Sequence, residues 1–411
     1  MSKRVVITGL GVITPLGNSV NEFWSKIING KSSVDKVTLF DTTDFTTKIA
    51  AEVKNFDPEN YINKKDVKRM DRFCHFAVAA AGEAIKTANL DISSLSERVG
   101  VSIGCGIGGF GTIEKQHQTM MEKGVARVSP FMIPMIIPDM AAGYVAIIYG
   151  AKGPNLCTVT ACASGANAIG EAFRIIQRGD ADIMISGGTE AAITPFGFAG
   201  FCAARAMSKN NANPAKASRP FDLNRDGFVM GEGAGILILE EYEHALKRNA
   251  EILGEITGYA MTCDAYHITS PDPNGEGVKN SMKLAMKDAK IEVKQIDYIN
   301  AHGTSTEAND KTETLAIKRL FNDTDKLLVS STKSMTGHLL GASGGIESII
   351  SILALKNGIV PPTINYETPD PECNLNYVPN FSINKDISYV LSNSLGFGGH
   401  NTSLVFKKYA G

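Results

Sequence analysis

A cysteine, two histidines and a lysine sit in loops where their chemistry would be usable. Cys162 lies in LCTVTACASGANAIGEAFRIIQRG, between the apolar run 156–161 and a strongly helical segment reaching about Gln177. A cysteine at a helix start meets backbone N–H groups without intrahelical partners and the positive end of the helix dipole, and both favour thiolate over thiol. The small residues Ala161, Ala163, Ser164, Gly165 and Ala166 allow a sharp strand-to-helix turn and close approach of a substrate, the geometry of a nucleophile elbow. A buried structural thiol is the competing description, because free cysteine is among the most buried residue types.

His302 follows the run IDYINA and precedes GTST, and His338 lies in SSTKSMTGHLLGASGG, five residues after Lys333. A lone histidine is ordinarily a surface or core residue; two in matching Gly-rich strand-end loops facing the elbow point to chemistry. Lys333 and Glu347 read as a buried charge couple, since Glu347 falls on the helix that begins beside His338. A charged lysine near His338 favours a neutral imidazole, because like charge opposes protonation. Neutral imidazoles donate hydrogen bonds to a developing oxyanion or enolate. In SLGFGGHN, Phe397 is flanked by Gly396, Gly398 and Gly399, which supplies exposed N–H groups and a mobile aromatic gate. The N–H groups of Cys162 and Phe397 together would form an oxyanion hole. Taken alone, GFGG also describes an ordinary tight turn.

The elements that must position these residues are α/β. Runs such as RVVITGLGVI, GVSIGC, ADIMISGG, GILILEEY, DYINAHG, KLLVSSTK and SYVLSNS alternate with helical stretches, the pattern of mostly parallel, buried strands. A weak repeat runs through them. HFAVAAAGEAIKTANL followed by RVGVSIGCGIGG matches GVKNSMKLAMKDAK followed by IDYINAHGTST, and the Cys162 segment matches the stretch from LLVSSTK through SYVLSNSLGFGG. The chain divides into residues 1–250, carrying the nucleophile together with interface, pocket and cap insertions, and residues 251–411, carrying the histidines. The insertion at 110–150 is rich in Pro and apolar residues and reads as subunit interface or pocket wall. The stretch 191–231, rich in Gly, Pro and Asn, reads as loops over a site.

With 411 residues, 43% hydrophobic content and a net charge of -2, the chain can bury a large core and carries no field that would recruit nucleic acid. No apolar run approaches the roughly 20 residues that span a bilayer, and the first residues lead directly into a strand, so a cytoplasmic location is expected. Seven cysteines without a CxxC pair favour free thiols over disulfides or a zinc site.

TACASG with Cys162, NAHGTST with His302, STKSMTGH with Lys333 and His338, and GFGGHN with Phe397 resemble the active-site motifs of beta-ketoacyl-acyl carrier protein synthases. The likeness runs from Arg4 to about Phe406, and ACASG favours the type II over the type I branch. It implies a thiolase-like fold of five αβαβα layers built from two similar halves, usually as a homodimer. It implies a condensing acyltransferase of fatty-acid biosynthesis and lipid metabolism, in which an acyl chain moves from carrier protein to Cys162. Malonyl-acyl carrier protein then loses carbon dioxide and its carbanion attacks the acyl thioester. His302 and His338 would steady the enolate, Lys333 would organise His338, and Glu347 would balance Lys333. Thr304 and Thr306 would meet the pantetheine amides of the carrier arm. Ile107, Phe131 and Phe201 would line the acyl tunnel. Lys64, Lys65, Lys68, Arg69, Arg127 and Arg205 would hold the acidic carrier protein. No organic cofactor is expected, although relatives set a precedent for a monovalent cation near Asn300, Glu347, Ser392 and Asn393.

His400 stands where the family carries threonine after GFGG, and Glu307 where proline is common after GTST, which leaves gate mobility and pH response open. A degradative thiolase would need a second, C-terminal cysteine in a CxG motif, whereas the only late one, Cys373, lies in TPDPECNLNY. A non-catalytic chain-length factor would have lost the nucleophile, which this chain keeps.

Overall fold

The computed structural model describes residues 3–411. Ten strands form one continuous sheet: β1 (Val5–Ile13), β2 (Val99–Gly104), β3 (Asn155–Leu156), β4 (Ile183–Glu190), β5 (Gly233–Glu241), β6 (Gly254–Cys263), β7 (Tyr298–Asn300), β8 (Leu328–Ser330), β9 (Tyr389–Gly396) and β10 (His400–Lys407). Their order is β8-β7-β9-β10-β6-β1-β5-β4-β2-β3. From each outer edge to the centre, both halves follow the same sequence of third, second, fourth, fifth and first strand. The directions match as well: β2 and β3 run parallel to β4 as β7 and β8 do to β9, while β5 and β10 are antiparallel to both neighbours. The sheet is therefore mixed, not mostly parallel as the apolar runs suggest. Burial on both faces makes a strand uniformly apolar whichever way its neighbour points, so composition does not carry direction.

The halves join where Val5–Ile7 of β1 pair with Gly254–Ile256 of β6, a short hinge that lets one half-sheet fold over the other. Helices fill the space between. α1 (Arg72–Thr87) and α2 (Met140–Tyr149) cover the outer face of the first half, and α4 (Glu276–Asp288) and α5 (Glu307–Leu320) that of the second. Between the two half-sheets lie α3 (Ser164–Arg178) and α6 (Ser343–Asn357). In α6 every residue from Ser343 to Leu355 is buried, as expected of a helix whose apolar residues run all the way round. The result is five layers, helix, sheet, helix, sheet, helix.

The repeat extends to backbone detail. α3 is entered through a 3-10 turn, Ala161–Ala163, and α6 through Leu340–Ala342, and each helix ends at a left-handed glycine, Gly179 or Gly358. The first residue of each turn, Ala161 and Leu340, has φ of +50°. A side chain in that region costs of order 1 kcal/mol, so two non-glycine residues there mark a turn held by its surroundings. The segment 191–231 is more ordered than its composition suggests. Thr194 accepts from the N–H of Gly197 and Pro195 sets the first turn, so Pro195–Ala203 is a helix.

The starts of α3 and α6 pack backbone against backbone. A Cβ on Gly165 would lie 2.7 Å from the carbonyl oxygen of Gly341, and one on Gly344 would lie 2.3 Å from the Ala166 nitrogen. Neither obstacle is a flexible side chain that could swing away. Gly344→Ala is therefore expected to cost about 1–3 kcal/mol or more, read as a lower urea midpoint with native secondary structure retained below it.

Candidate active site

The turn at Ala161 is stitched by Ser164, whose Oγ accepts from Thr160 N–H at 2.9 Å and donates to the Ala161 carbonyl at 2.6 Å. Asn167 of α3 donates to Thr160 Oγ1 at 2.7 Å and accepts from Thr402 at 2.7 Å, tying the elbow to β10 of the other half. Gly396 at the end of β9 passes so near that a Cβ there would meet the Thr160 carbonyl at 2.6 Å and the Cys162 nitrogen at 3.3 Å. This brings Phe397 beside the nucleophile. The backbone N–H groups of Cys162 and of Phe397 both act on Sγ in the sense that favours thiolate, and these are the two donors that the sequence offers for an oxyanion hole.

Cys162, Phe201, Arg205, His302, Thr304, Thr306, His338 and Phe397 line one cavity of about 460 Å³. The two imidazoles meet edge to face at 5.3 Å between ring centres. Both are held neutral: burial is the main cause for each, Lys333 adds to it, and at His302 so does His338. Lys333 lies beneath them and pairs with Glu347, each almost wholly buried. Its Nζ lies 3.4 Å from Nδ1 of His302. An ammonium can only donate, so the His302 proton sits on Nε2. Lys333 thus contacts His302 directly, whereas the family likeness implies that it organises His338, on which it acts through charge. His338 is oriented by Ser343 Oγ at 3.0 Å from Nδ1 and by the edge of Phe228. Burial lifts the Glu347 carboxyl to about 7 against the pull of Lys333.

The thiol also departs from expectation. Apolar surroundings push Cys162 up to about 12, and Glu190 adds to this, while Lys333 and the two N–H donors pull it down. Desolvation outweighs the helix start here because Cys162 stands in the 3-10 turn, packed with Ile107, Phe201 and Leu340, and not in open water at the helix end. The resting Cys162 is therefore a thiol.

The other expected residues divide. Ile107 packs in the apolar cluster around Cys162 but is not on the cavity surface. Phe131 lies outside the cavity, partly exposed, with the Arg69 guanidinium 4.6 Å above its ring. Thr304 and Thr306 share a hydrogen bond of 2.9 Å at the cavity wall. Lys64, Lys65, Lys68, Arg127 and Arg205 are exposed, and of these only Arg205 borders the cavity. Glu307 opens α5 and pairs with Lys311 at 3.0 Å, and His400 stands in register opposite Gly396. The gate loop is held by Asp264 N–H to the Gly399 carbonyl and by Gly398 N–H to the Ile268 carbonyl. Cys373 is buried away from the cavity, and burial pushes it up to about 11, which suits no catalytic base.

Among the described residues no group of three His, Cys, Asp or Glu could hold a metal ion. Both polar side-chain atoms of Asn300, and Oε2 of Glu347, are nonetheless buried without a partner. Unpartnered buried oxygens suit an oxygen-ligated monovalent cation. Asn393 fits less well, since its amide donates to Glu313 and accepts from Ser403, and Ser392 is placed only by its register opposite Asn300.

Sequence reasoning misses Ser343, Glu313 and Glu190. Glu313 accepts from the N–H groups of His302 at 2.9 Å and Gly303 at 2.8 Å, and so fixes the histidine loop. The polar run NDKTET gives Glu313 no distinguishing mark in the sequence, and only Glu190, in ISGGTEAAI, stands out as a carboxylate among apolar and small residues.

A cysteine at a strand-to-helix turn, two backbone N–H groups beside it and two neutral imidazoles, set in a duplicated five-layered fold, have the form of a thiolase-like condensing enzyme. The chain belongs to the beta-ketoacyl synthase family: residues 2–245 match its N-terminal domain and residues 253–367 its C-terminal domain. It is 57% identical over 409 residues to the 3-oxoacyl-[acyl-carrier-protein] synthase 2 of Synechocystis sp., covering 99% of this chain and 98% of that one. The protein of the same description from Staphylococcus aureus (strain COL) is 57% identical over 410 residues, 99% of each chain. A beta-ketoacyl synthase from Burkholderia phymatum STM815 superposes with a TM-score of 0.93 at 37% identity, covering 99% of this chain and 100% of that one. A type II polyketide acyl-carrier protein in complex with its ketosynthase, bound to the hexaketide, gives 0.93 at 37% identity over 100% of both chains.

Because Lys333 draws the Cys162 thiol toward ionisation, Lys333→Met leaves less thiolate at any given pH. Alkylation of Cys162 by iodoacetamide at pH 8 is expected to slow by roughly tenfold, the change in thiolate that one pKa unit brings. Equal rates would show that the ammonium does not act on Sγ.

Proposed function

We propose that the chain carries out decarboxylative Claisen condensation of an acyl chain with malonyl-acyl carrier protein in fatty-acid elongation. The observation that carries it is the single cavity on which Cys162, His302, His338 and Phe397 converge. In the first half-reaction Sγ attacks the acyl thioester carbonyl and its proton passes to the departing carrier thiol. The tetrahedral oxyanion lies between the N–H groups of Cys162 and Phe397. In the second, the bond from the malonyl α-carbon to its carboxylate breaks and carbon dioxide leaves. The electron pair forms an enolate whose oxygen accepts from the Nε2–H groups of His302 and His338. Neutral imidazoles serve better here than imidazolium, because they stabilise the enolate without delivering a proton to carbon. The α-carbon then attacks the acyl carbonyl, and Cys162 leaves as thiolate and takes up a proton from solvent to return to the thiol.

Thr304 and Thr306, hydrogen-bonded to each other on the cavity wall, receive the pantetheine arm. Phe201 bounds the acyl chain, with Ile107 behind it. Asn300 and Glu347 are the residues that would hold a monovalent cation, and such an ion would offset the buried carboxylate. No organic cofactor takes part in this scheme. The division at residues 250 and 251 falls between the fifth strand of the first repeat and the first strand of the second. A homodimer is the assembly that suits the exposed apolar band of Phe131, Ile133, Ile137, Ile147, Ile148 and Val159 beside edge strand β3. Among the described residues no helix is long and apolar enough to cross a membrane, and all seven cysteines are free, which supports a cytoplasmic enzyme.

Cys162→Ala is expected to abolish condensation and the mass-detected acyl adduct. His302→Ala and His338→Ala are each expected to lower malonyl decarboxylation by roughly a hundredfold or more; full decarboxylation in either would remove that histidine from the mechanism. Arg69, Arg127, Arg205 and the lysines at 64, 65 and 68 are proposed to meet the acidic carrier protein. Reversing charge at Arg69 and Arg127 should raise KM for carrier-bound substrates several-fold at low salt, with the effect fading as salt screens it. An unchanged KM at low salt would overturn that surface.

A further inference from the structure

Glu190 ends β4 and is completely buried, yet it takes no part in the chemistry above. Its Oε2 accepts from the N–H of Gly106 at 2.8 Å and of Gly341 at 3.1 Å. Its Oε1 accepts from the N–H of Ile107 at 3.2 Å and from the Cys105 thiol at 3.3 Å. Four donors therefore converge on one carboxylate, and they come from two different repeats. Gly341 occupies in the Leu340–Ala342 turn the place that Cys162 occupies in Ala161–Ala163. Its N–H is thus the counterpart of the Cys162 N–H in the oxyanion hole, and Glu190 fills that counterpart site. Both glycines leave room for the carboxylate, since a Cβ on either would come within 2.8 Å of Oε2.

The arrangement has a parallel in the other repeat. There the buried Glu313 takes the consecutive N–H groups of His302 and Gly303, as Glu190 takes those of Gly106 and Ile107. One carboxylate fixes the loop that carries a catalytic histidine. The other fixes Ile107, which packs against the same apolar cluster as Cys162, and the turn carrying Leu340, which lines the cavity.

We propose that Glu190 is a positioning residue of the acyl site: its carboxylate ties the Gly106–Ile107 loop of the first repeat to the Leu340–Gly341 turn of the second, fixing two walls around the acyl chain on Cys162. The same carboxylate lies with the Ala161 carbonyl against Gly106, next to the turn that carries Cys162, and so acts electrostatically on Sγ. Burial pushes Glu190 itself up and its donors pull it down, and its charge opposes ionisation of Cys162. Lys333 acts on Sγ in the opposite sense, and the cavity that Cys162 borders also carries the neutral His302 and His338 and the charged Arg205, Arg225, Asp226, Asp264 and Glu307. The walls therefore set which chains fit, and the charge adds to the burial that keeps the unloaded thiol protonated.

The proposal rests on Cys162 as the acyl-bearing nucleophile, so wild-type protein is first incubated with palmitoyl-acyl carrier protein and its peptides weighed; absence of an adduct on Cys162 would refute that assignment and not the one for Glu190. Glu190→Gln removes the charge and turns an amide toward N–H donors. Iodoacetamide alkylation of Cys162 at pH 7.5 is expected to rise roughly three- to tenfold, and the octanoyl-to-palmitoyl loading ratio to move at least roughly threefold toward one. Glu190→Asp keeps the charge at shorter reach, so the ratio should relax while the alkylation profile stays near wild type. A purely structural role would lower thermal stability and leave the alkylation profile of Glu190→Gln unchanged. Should Glu190→Gln not fold, Cys105→Ala, which removes only the thiol donor, is expected to move the loading ratio in the same direction by a smaller amount. Wild-type ratio and pH profile in folded Glu190→Gln, or a wild-type ratio in Cys105→Ala where Glu190→Gln is insoluble, overturns the proposal.

Discussion

Two helices begin face to face at the centre of the molecule, and the absence of side chains at Gly165 and Gly344 is what allows it. Every reacting group is placed relative to that meeting point. Cys162 precedes one helix, His338 precedes the other, and Glu347 lies on the second helix to anchor Lys333. A side chain at either glycine would push the elbow away from the histidines. Separation matters more than local distortion here, because reacting atoms must approach within roughly 3–3.5 Å of one another. The layers around the two helices exclude water and hold the approach rigid.

Within that dry centre, desolvation and charge compete, and each group records which prevails. His302 and His338 are kept neutral by burial with Lys333 acting in the same direction. At Cys162, burial and Glu190 prevail over Lys333 and two backbone donors. One ammonium thus acts on three groups, and Glu347 fixes it in place. The helix start supplies donors for an oxyanion more than it supplies an ionised nucleophile.

Much of this is legible in the chain, for reasons that differ by residue. Cys162, His302, His338 and Phe397 stand in loops whose glycine and polar content contrasts with the apolar strands leading into them, so a reader of sequence finds them. The duplicated order of elements is legible because helix and strand periodicities repeat in the same sequence. Strand direction is not, since burial on both faces erases it. The direct contact of Lys333 with His302 is hidden for a related reason. Nearness in sequence favours His338, but parallel pairing of β7 with β8 brings His302, 31 positions away, to the ammonium. Glu190 is harder still. Its donors lie 84 and 151 positions from it, and a backbone N–H leaves no mark in the residue type that carries it.

The same structural position in the two repeats has been put to unlike uses. Ser164 stitches the turn around the nucleophile, whereas Ser343, one repeat later, steadies an imidazole. Gly341 stands where Cys162 would recur, but a Cβ there would press within 2.4 Å of the Gly106 nitrogen. Duplication supplied two frames of equal shape, and the second can no longer be turned into a copy of the first by restoring a thiol. The enzyme is asymmetric by construction: one frame carries Cys162, the other carries the two histidines, Lys333 and Glu347, and each polypeptide has a single workbench.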